Sequence, residues 1–269
     1  MEDGGFTPAE CYVYRFVLAY LILLLFSFKN IRCKSWRDEL TLAISGICSG
    51  SLYFVTENYA LLHTTTGNVS LLSSISPIFT TLLLAALYKQ RIKAPVIIGS
   101  VIAFIGVGCV IFSSGGSLEI RPTGDILALA AALSWAIYSV VIKRVLPLYN
   151  GMFITRKQFF YGVITAIPLL MIQKEPYHIG LLFDMQQPQY LLNLLFLVLI
   201  CSITAYLIWN QSMKVLGPVT ANNYIYMQPL VTMIAGYFVL GENITLLGYL
   251  GCALIIGGLV ISDKLKLSH

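Results

Sequence analysis

The chain has 269 residues, of which 58% are hydrophobic and 11% charged, with a formal net charge of +5. Soluble domains average about 45–50% apolar and about 25% charged residues, so this composition excludes a cytosolic enzyme, a disordered chain and a nucleic-acid module. The mean hydropathy of +0.81 agrees, and a polytopic membrane protein remains.

A membrane helix needs about 20 apolar residues. In chain order the apolar runs cover 8–28, 39–61, 67–88, 95–112, 124–142, 153–172, 190–209, 218–240 and 246–262. They predict an all-α bundle of nine transmembrane helices. The runs are continuous rather than alternating, which argues against membrane strands. Pro8, Pro95 and Pro218 stand at run starts, where a missing N–H does no harm.

Orientation follows from the basic residues. With the N-terminus outside, the inner segments hold Lys29, Arg32, Lys34, Arg37, Lys89, Arg91, Lys93, Lys143, Arg144, Arg156, Lys157, Lys214, Lys264 and Lys266, which is 14 of the 17 Lys and Arg. The outer segments hold only Arg121 and Lys174, and Arg15 lies within a span. The positive-inside rule then places the C-terminus in the cytoplasm, with Arg156 and Lys157 snorkelling from the start of the sixth span. Glu2, Asp3, Glu119, Asp125, Glu175, Asp184 and Glu242 fall at or near the outer face and weigh less.

Six cysteines form no CxxC pair and read as small buried hydrophobes rather than disulfides or ligands. With histidine only at 63, 178 and 269, no metal site and no cofactor are expected. The acidic, polar start does not read as a cleavable signal peptide. The chain has no HExxH, GxSxG or Walker-type motif, so neither an enzyme nor an ATP-driven motor is indicated.

A shift of 152 residues brings Asn58 onto Asn210, Pro77 onto Pro229, Thr80 onto Thr232, Ile92 onto Ile244, Gly99 onto Gly251 and Gly106 onto Gly258. Partner spans are then five apart. An odd step gives the two copies opposite orientation, and inverted repeats with Pro- or Gly-interrupted spans point to secondary transporters. The expected division is 1–113 for a first repeat of four helices and 124–263 for a second of five. The span 8–28 pairs with 153–172, and 124–142 is left without a partner. Because the start MEDGGFTPAE reads like an outer loop, a complete five-plus-five arrangement is expected to lack its first helix here, through a misassigned start codon or a real truncation.

The stretches GFTPAECYVYRF, NYALLHTTTGNVSLLSSISPIFTTLLLAALY, GDILALAAALSWAIYSVVIKR and NNYIYMQPLVTMIAGYFVLGENITLLGYLGCALIIGGLVI resemble the EamA-type members of the drug/metabolite transporter (DMT) superfamily. That resemblance spans nearly the whole chain. It implies ten helices in two inverted repeats, alternating access around a central cavity, and export of amino acids, other small metabolites or drugs. It also implies that the absent first helix lines the cavity, and that its partner here is the span with Trp135 and Tyr138. A bacterial inner-membrane location fits.

The candidate substrate-binding or coupling residues follow from the cost of polar groups in hydrocarbon. Glu57 stands well inside a span and reads either as a proton or amine site or as a structural carboxylate. Arg15 lies roughly 10 Å below Pro8 at about 1.5 Å per residue, near the depth of Glu57. A mutual ion pair would relieve both burial costs. Pro77 and Pro229 sit near the middle of their spans and read as kinks that free backbone carbonyls towards a cavity, or as tolerated kinks without a ligand. Asn58, Asn68 and Ser76, with Asn210, Asn222, Tyr226 and Gln228, form a polar lining or an interhelical glue. Asn222 and Tyr226 are expected on one helical face, as are Ser73 and Ser76. Trp135 and Tyr138, three apart, face together and either stack on a ligand or simply pack. Gly99, Gly106, Gly108, Gly248, Gly251, Gly257 and Gly258, and the pair Gly46 and Gly50, mark close helix packing.

These features favour a secondary transporter whose partners are a small-molecule substrate and membrane lipid, with no nucleic acid and with a homodimer left open. The competing readings are an intramembrane enzyme and a non-transporting membrane subunit or inactive truncated fragment.

Overall fold

The computed structural model describes residues 6–28, 31–89, 92–113, 115, 120–172, 178–184, 187–240 and 244–264. Every regular element among them is helical. Seven helical stretches are long and apolar enough to cross a membrane: Ala9–Ser27, Trp36–His63, Thr66–Tyr88, Ala94–Ser113, Pro122–Ile142, Gln189–Leu216 and Leu246–Asp263. Two of the nine expected spans fall outside that set. The helix over Gly151–Ile172 carries Arg156, Lys157 and Gln158 in its second turn, which dilutes its apolar content. The run 218–240 is helical but cut into short pieces. Of the residues used for orientation, Glu2, Asp3, Lys29, Arg91, Glu119, Lys174, Glu175, Glu242 and Lys266 lie outside the described residues, as does His269.

The chain forms two compact units, and each draws on both halves of the sequence. The first takes Met1–Val55 and Val141–Val215. It contains α1 (Pro8–Ser27), α2 (Trp36–Ser49), the start of α3 (Ser51–His63), α8 (Gly151–Ile172), α9 (Gln189–Val198) and α10 (Ala205–Leu216). Thr7 and Glu10 start α1 with a reciprocal capping box, which satisfies two of the backbone N–H groups left unpaired at a helix start. Helix α8 packs against both α1 and α2. The core between them is aromatic: Phe16 meets Phe159 edge-on at 5.0 Å, and Phe159 meets Tyr206 at the same distance.

The second unit takes Thr56–Val140 and Leu216–His269. It contains α4 (Thr66–Ser73), α5 (Ser76–Tyr88), α6 (Ala94–Ser113), α7 (Pro122–Ile142), α11 (Pro218–Asn223), α12 (Gln228–Ala235) and α13 (Leu246–Lys264). Helices α6 and α13 pack antiparallel along their length. A Cβ on Gly99 would stand 2.4 Å from the Gly258 carbonyl oxygen, and one on Gly106 would stand 2.7 Å from that of Gly251. Only residues without side chains allow two helix backbones so close. The 152-residue shift carries Gly99 onto Gly251 and Gly106 onto Gly258, so it exchanges one contact for the other. Gly108 and Gly257 depart from expectation, since a Cβ on either would meet nothing within 4 Å.

Four expected spans are interrupted. The run 39–61 breaks at Gly50 (φ −110°, ψ −106°), and 67–88 breaks between Ser73 and Ser76. The run 190–209 passes through a π-helical turn over Leu199–Thr204. The run 218–240 contains a 3-10 turn at Tyr224–Met227 and a π turn at Gly236–Leu240. Pro77 and Pro229 therefore stand at the second residue of new helices, α5 and α12, and not within kinked continuous ones. Proline is suited to that position because the first-turn N–H has no helical partner in any case. Helices α4, α5 and α6 begin at Thr66, Ser76 and Ala94, and α11, α12 and α13 begin at Pro218, Gln228 and Leu246. Each start in the second set lies 152 residues after its counterpart.

Candidate functional site

Of the thirteen candidate residues, Arg15 and Asn210 belong to the first unit and the other eleven to the second.

In the first unit, Arg15 sits two turns inside α1 and is half-buried. Its guanidinium is met by neutral oxygens: Nε donates to Ser202 Oγ, and Nη2 donates to the Cys201 carbonyl at 2.7 Å. Both acceptors lie in the π turn. The guanidinium carbon stands 5.0 Å from the Phe16 ring centroid and 5.6 Å from that of Phe54. Glu57, the expected ion-pair partner, falls in the other unit. Asn210 is fully buried, and its Nδ2 donates to Thr155 Oγ1 at 3.0 Å and to Gln158 Oε1 at 2.9 Å. Gln158 Nε2 continues to Ser45 Oγ at 2.9 Å. This buried polar chain ties α10, α8 and α2 together.

In the second unit, Asn68 Nδ2 donates to Asp125 Oδ1 at 2.8 Å and to Thr64 Oγ1 at 3.0 Å. Thr64 Oγ1 donates to the same carboxylate oxygen at 2.9 Å, while the Arg121 N–H donates to Oδ2. Asn68 thus helps to fasten α4 to the first turn of α7. Asn222 is fully buried, donates to the Pro218 carbonyl at 2.8 Å and accepts from Ser139 Oγ on α7. Tyr226 does not share its surroundings. The 3-10 turn rotates it away, and it lies buried in an apolar cluster with Val107, Ile255 and Leu259. Ser73 and Ser76 are likewise separated by the break between α4 and α5. Ser76 and Pro77 are buried, and their carbonyls accept from Thr80 Oγ1 and Thr81 Oγ1, each at 2.9 Å. Trp135 and Tyr138 meet edge-on, as the spacing predicted, with ring centroids 5.1 Å apart. Tyr138 and Pro229 are buried, Glu57, Asn58 and Trp135 half-buried, and Gln228 exposed.

Several polar residues of the first unit carry more of its bonding than the sequence suggested. Glu10 is fully buried and accepts from the Thr7 N–H, Tyr14 Oη and the His178 N–H, with His178 Nδ1 at 3.2 Å. The T-x-x-E pattern at Thr7 was a legible signal for it. Arg156 does not snorkel. It is 2% exposed, donates to the Ser27 carbonyl and lies 2.9 Å from Ser27 Oγ, so its charge meets the C-terminal end of α1. Lys157 pairs with Glu39 at 2.5 Å, and Tyr161 also donates to that carboxylate. In the adjoining loops Tyr149 Oη accepts from the Lys34 N–H and donates to Asp38 Oδ2, each at 2.9 Å. Burial, with Asp38 adding to it, pushes the Tyr149 phenol up to about 12. Burial and the nearby Glu39 carboxylate push the Cys33 thiol up to about 12.

The sequence model of the EamA-like transporter family matches residues 4–112 and again 122–262. The chain belongs to the EamA-like transporter family. Similar proteins carry transporter names. An "uncharacterized transporter" of Clostridium kluyveri is 26% identical, over 97% of this chain and 85% of that protein. A "probable terminal-alkyne amino-acid exporter" of Streptantibioticus cattleyicolor is 27% identical, over 89% of this chain and 78% of that protein. A crystal structure 17% identical in sequence superposes with a TM-score of 0.76, over 97% of this chain and 90% of that one, which supports the fold. The EamA assignment and the apolar helices together make this an integral membrane protein of a transporter family, the DMT superfamily, and not an enzyme family.

Proposed function

We propose that this EamA protein is a secondary transporter that exports a small metabolite, with amino acids or drugs as the substrate class, by alternating access. Its two halves are read as inverted repeats divided near residues 113 and 124, with nine membrane crossings. The N-terminus is placed outside and the C-terminus in the cytoplasm of a bacterial inner membrane. The observation that carries this reading is the common 152-residue step: it relates the starts of α4, α5 and α6 to those of α11, α12 and α13, and it exchanges the two glycine contacts of α6 and α13. Interrupted helices at corresponding positions of two halves are a transporter feature, because irregular backbone is tolerated at membrane depth only inside protein or beside a cavity. Glu57, Asn58, Asn68, Ser76, Pro77, Trp135, Tyr138, Asn222, Tyr226, Gln228 and Pro229 are carried as candidates in one unit, Arg15 and Asn210 in the other.

The test is counterflow in liposomes loaded with each proteinogenic amino acid in turn. Uptake of labelled substrate above protein-free vesicles is expected for at least one. Uptake for none, including a panel of cationic and neutral drugs, would overturn the substrate class. A cytoplasm-dependent reporter fused after His269 is expected to be active, and an inactive but well-expressed fusion would overturn the orientation.

A further inference from the structure

The surroundings of Arg15 raise a question of charge. A guanidinium offers five N–H donors and no acceptor. Among the described residues of the first unit one bonds Ser202 Oγ and one the Cys201 carbonyl, which leaves three. Both acceptors are neutral. Glu10, Asp38 and Glu39, carboxylates of the same unit, are committed to His178, Arg144 and Lys157. Among the described residues of the first unit no carboxylate forms an ion pair with Arg15. Charged residues within membrane spans are costly and mark functional positions unless their charge has another use.

Tethering the π turn does not require that charge. Cys201 lies 152 residues after Ser49, and the Ser49 carbonyl stands next to the helix break at Gly50. That carbonyl accepts from Tyr206 Oη at 2.6 Å. At corresponding places in the two broken spans, a neutral phenol serves one carbonyl and a cation the other. The hydrogen bond alone therefore explains a donor at position 15, and within the first unit the positive charge is met only by the Phe16 and Phe54 rings.

We propose that Arg15 is the anion-recognition residue of this protein and that it receives a carboxylate of the transported molecule, so the substrate is a small organic acid or a zwitterionic amino acid. This deepens the transport reading given above and rests on it. The planar fork of arginine matches a carboxylate through two parallel hydrogen bonds, and bonds to an ionised acceptor are roughly twice as strong as those to a neutral one. An arriving carboxylate can therefore use the spare donors and compete with the Cys201 carbonyl for the Nη2 group. The Phe16 and Phe54 rings flank the guanidinium and hold its position. A single guanidinium suits one negative charge; a phosphate dianion calls for a second cation.

The experiment uses the full chain in detergent and three matched pairs: acetate and acetamide, phenylacetate and phenylacetamide, phenylalanine and phenylalaninamide, with inorganic phosphate as a further probe. Modification of Arg15 by phenylglyoxal is followed by peptide mass spectrometry, and thermal stability is read in parallel. At least one acid is expected to slow modification and raise stability where its amide does not. Arg15→Gln is expected to weaken that acid about 10–100-fold, and Arg15→Lys to keep the preference for acid over amide. Should Arg15→Gln fail to fold, protection of the wild-type residue decides. Equal effects of every acid and its amide would overturn the proposal, as would stronger protection by phosphate than by any carboxylate. Protection without counterflow of the acid tells against transport and leaves the anion site standing. Counterflow without protection does the reverse.

Discussion

The contact between α6 and α13 allows a sharp perturbation, Gly99→Ala. The new Cβ would stand 2.4 Å from the Gly258 carbonyl oxygen, 2.8 Å from the Ser262 backbone nitrogen and 2.9 Å from the Ser262 Cβ. Two of these are backbone atoms, which cannot rotate away as a side chain could. Relief requires the helices to separate, and the close packing at Gly106 and Gly251 resists that. Overpacking of this kind costs about 1–3 kcal/mol. It is offset by about 1 kcal/mol from the better helix propensity of alanine. The internal control is Gly108→Ala on the same helix. There the Cβ meets nothing within 4 Å, and only the propensity gain applies. For a chain of this size about 1 kcal/mol corresponds to roughly 2–4 °C in Tm. Purified variants heated in detergent and scored by the monodisperse fraction should therefore show Gly99→Ala a few degrees below wild type and Gly108→Ala at or slightly above it. Because the 152-residue step exchanges the contacts, Gly251→Ala should fall with Gly99→Ala. Equal stability of Gly99→Ala and Gly108→Ala would refute the packing argument.

Asn210→Ala removes the shared donor of Thr155 and Gln158 inside the first unit, and about 1–3 kcal/mol of stability should go with it; an unchanged Tm would show that the buried chain is not maintained. Asp125→Ala strands Asn68 and Thr64 at the start of α7, with a similar expected loss read in the same assay, whereas Asp125→Asn should retain part of it. Alkaline pH provides a third check. Cys33 and Tyr149 are both held protonated up to about 12 in the fold, above the ordinary ranges of thiols and phenols. The unfolded chain loses these protons first, so their contribution is intact below about pH 9 and declines as pH rises towards 12. Melting curves from pH 8 to 11.5 should flatten in a Cys33→Ser, Tyr149→Phe double variant. Parallel curves would refute that origin of the slope.

The spanning helices were largely legible because hydropathy is a property of composition along the chain and needs no knowledge of packing. The breaks within them were not. Gly50 read as half of a packing pair with Gly46, yet it also ends α2. The π turn at Leu199–Thr204 carries no proline or glycine to announce it. The same limit applies to the candidate site. Asn222 and Tyr226 were recognisable as polar residues within an apolar run, but the partner of each depends on local twist. A 3-10 turn of about three residues instead of about 3.6 sends Tyr226 into the α6 and α13 cluster while Asn222 bonds α7. Arg156 misled for a different reason. A cation near a helix end ordinarily reaches for water, but here the C-terminal carbonyls of α1 lie closer.

The distribution of these bonds bears on how such a protein can move. A broken helix in hydrocarbon exposes carbonyls that need partners. At the breaks Tyr206 serves the Ser49 carbonyl and Arg15 that of Cys201, while the Ser70, Leu72 and Ile75 carbonyls keep backbone N–H partners. A neutral bond of this type contributes only about 0.5–1.5 kcal/mol net, and each can be exchanged for water or for a ligand group. The α6 and α13 contact is different in kind. It is backbone against backbone at four glycines, with no intermediate separation at which the packing is kept. Alternating access as proposed above requires some segments to rearrange while others stay fixed. The inexpensive bonds lie at the breaks and the indivisible contact lies between the two continuous glycine-paired helices. Motion should therefore be located in α2–α5 and α9–α12, with α6 and α13 moving as a single piece.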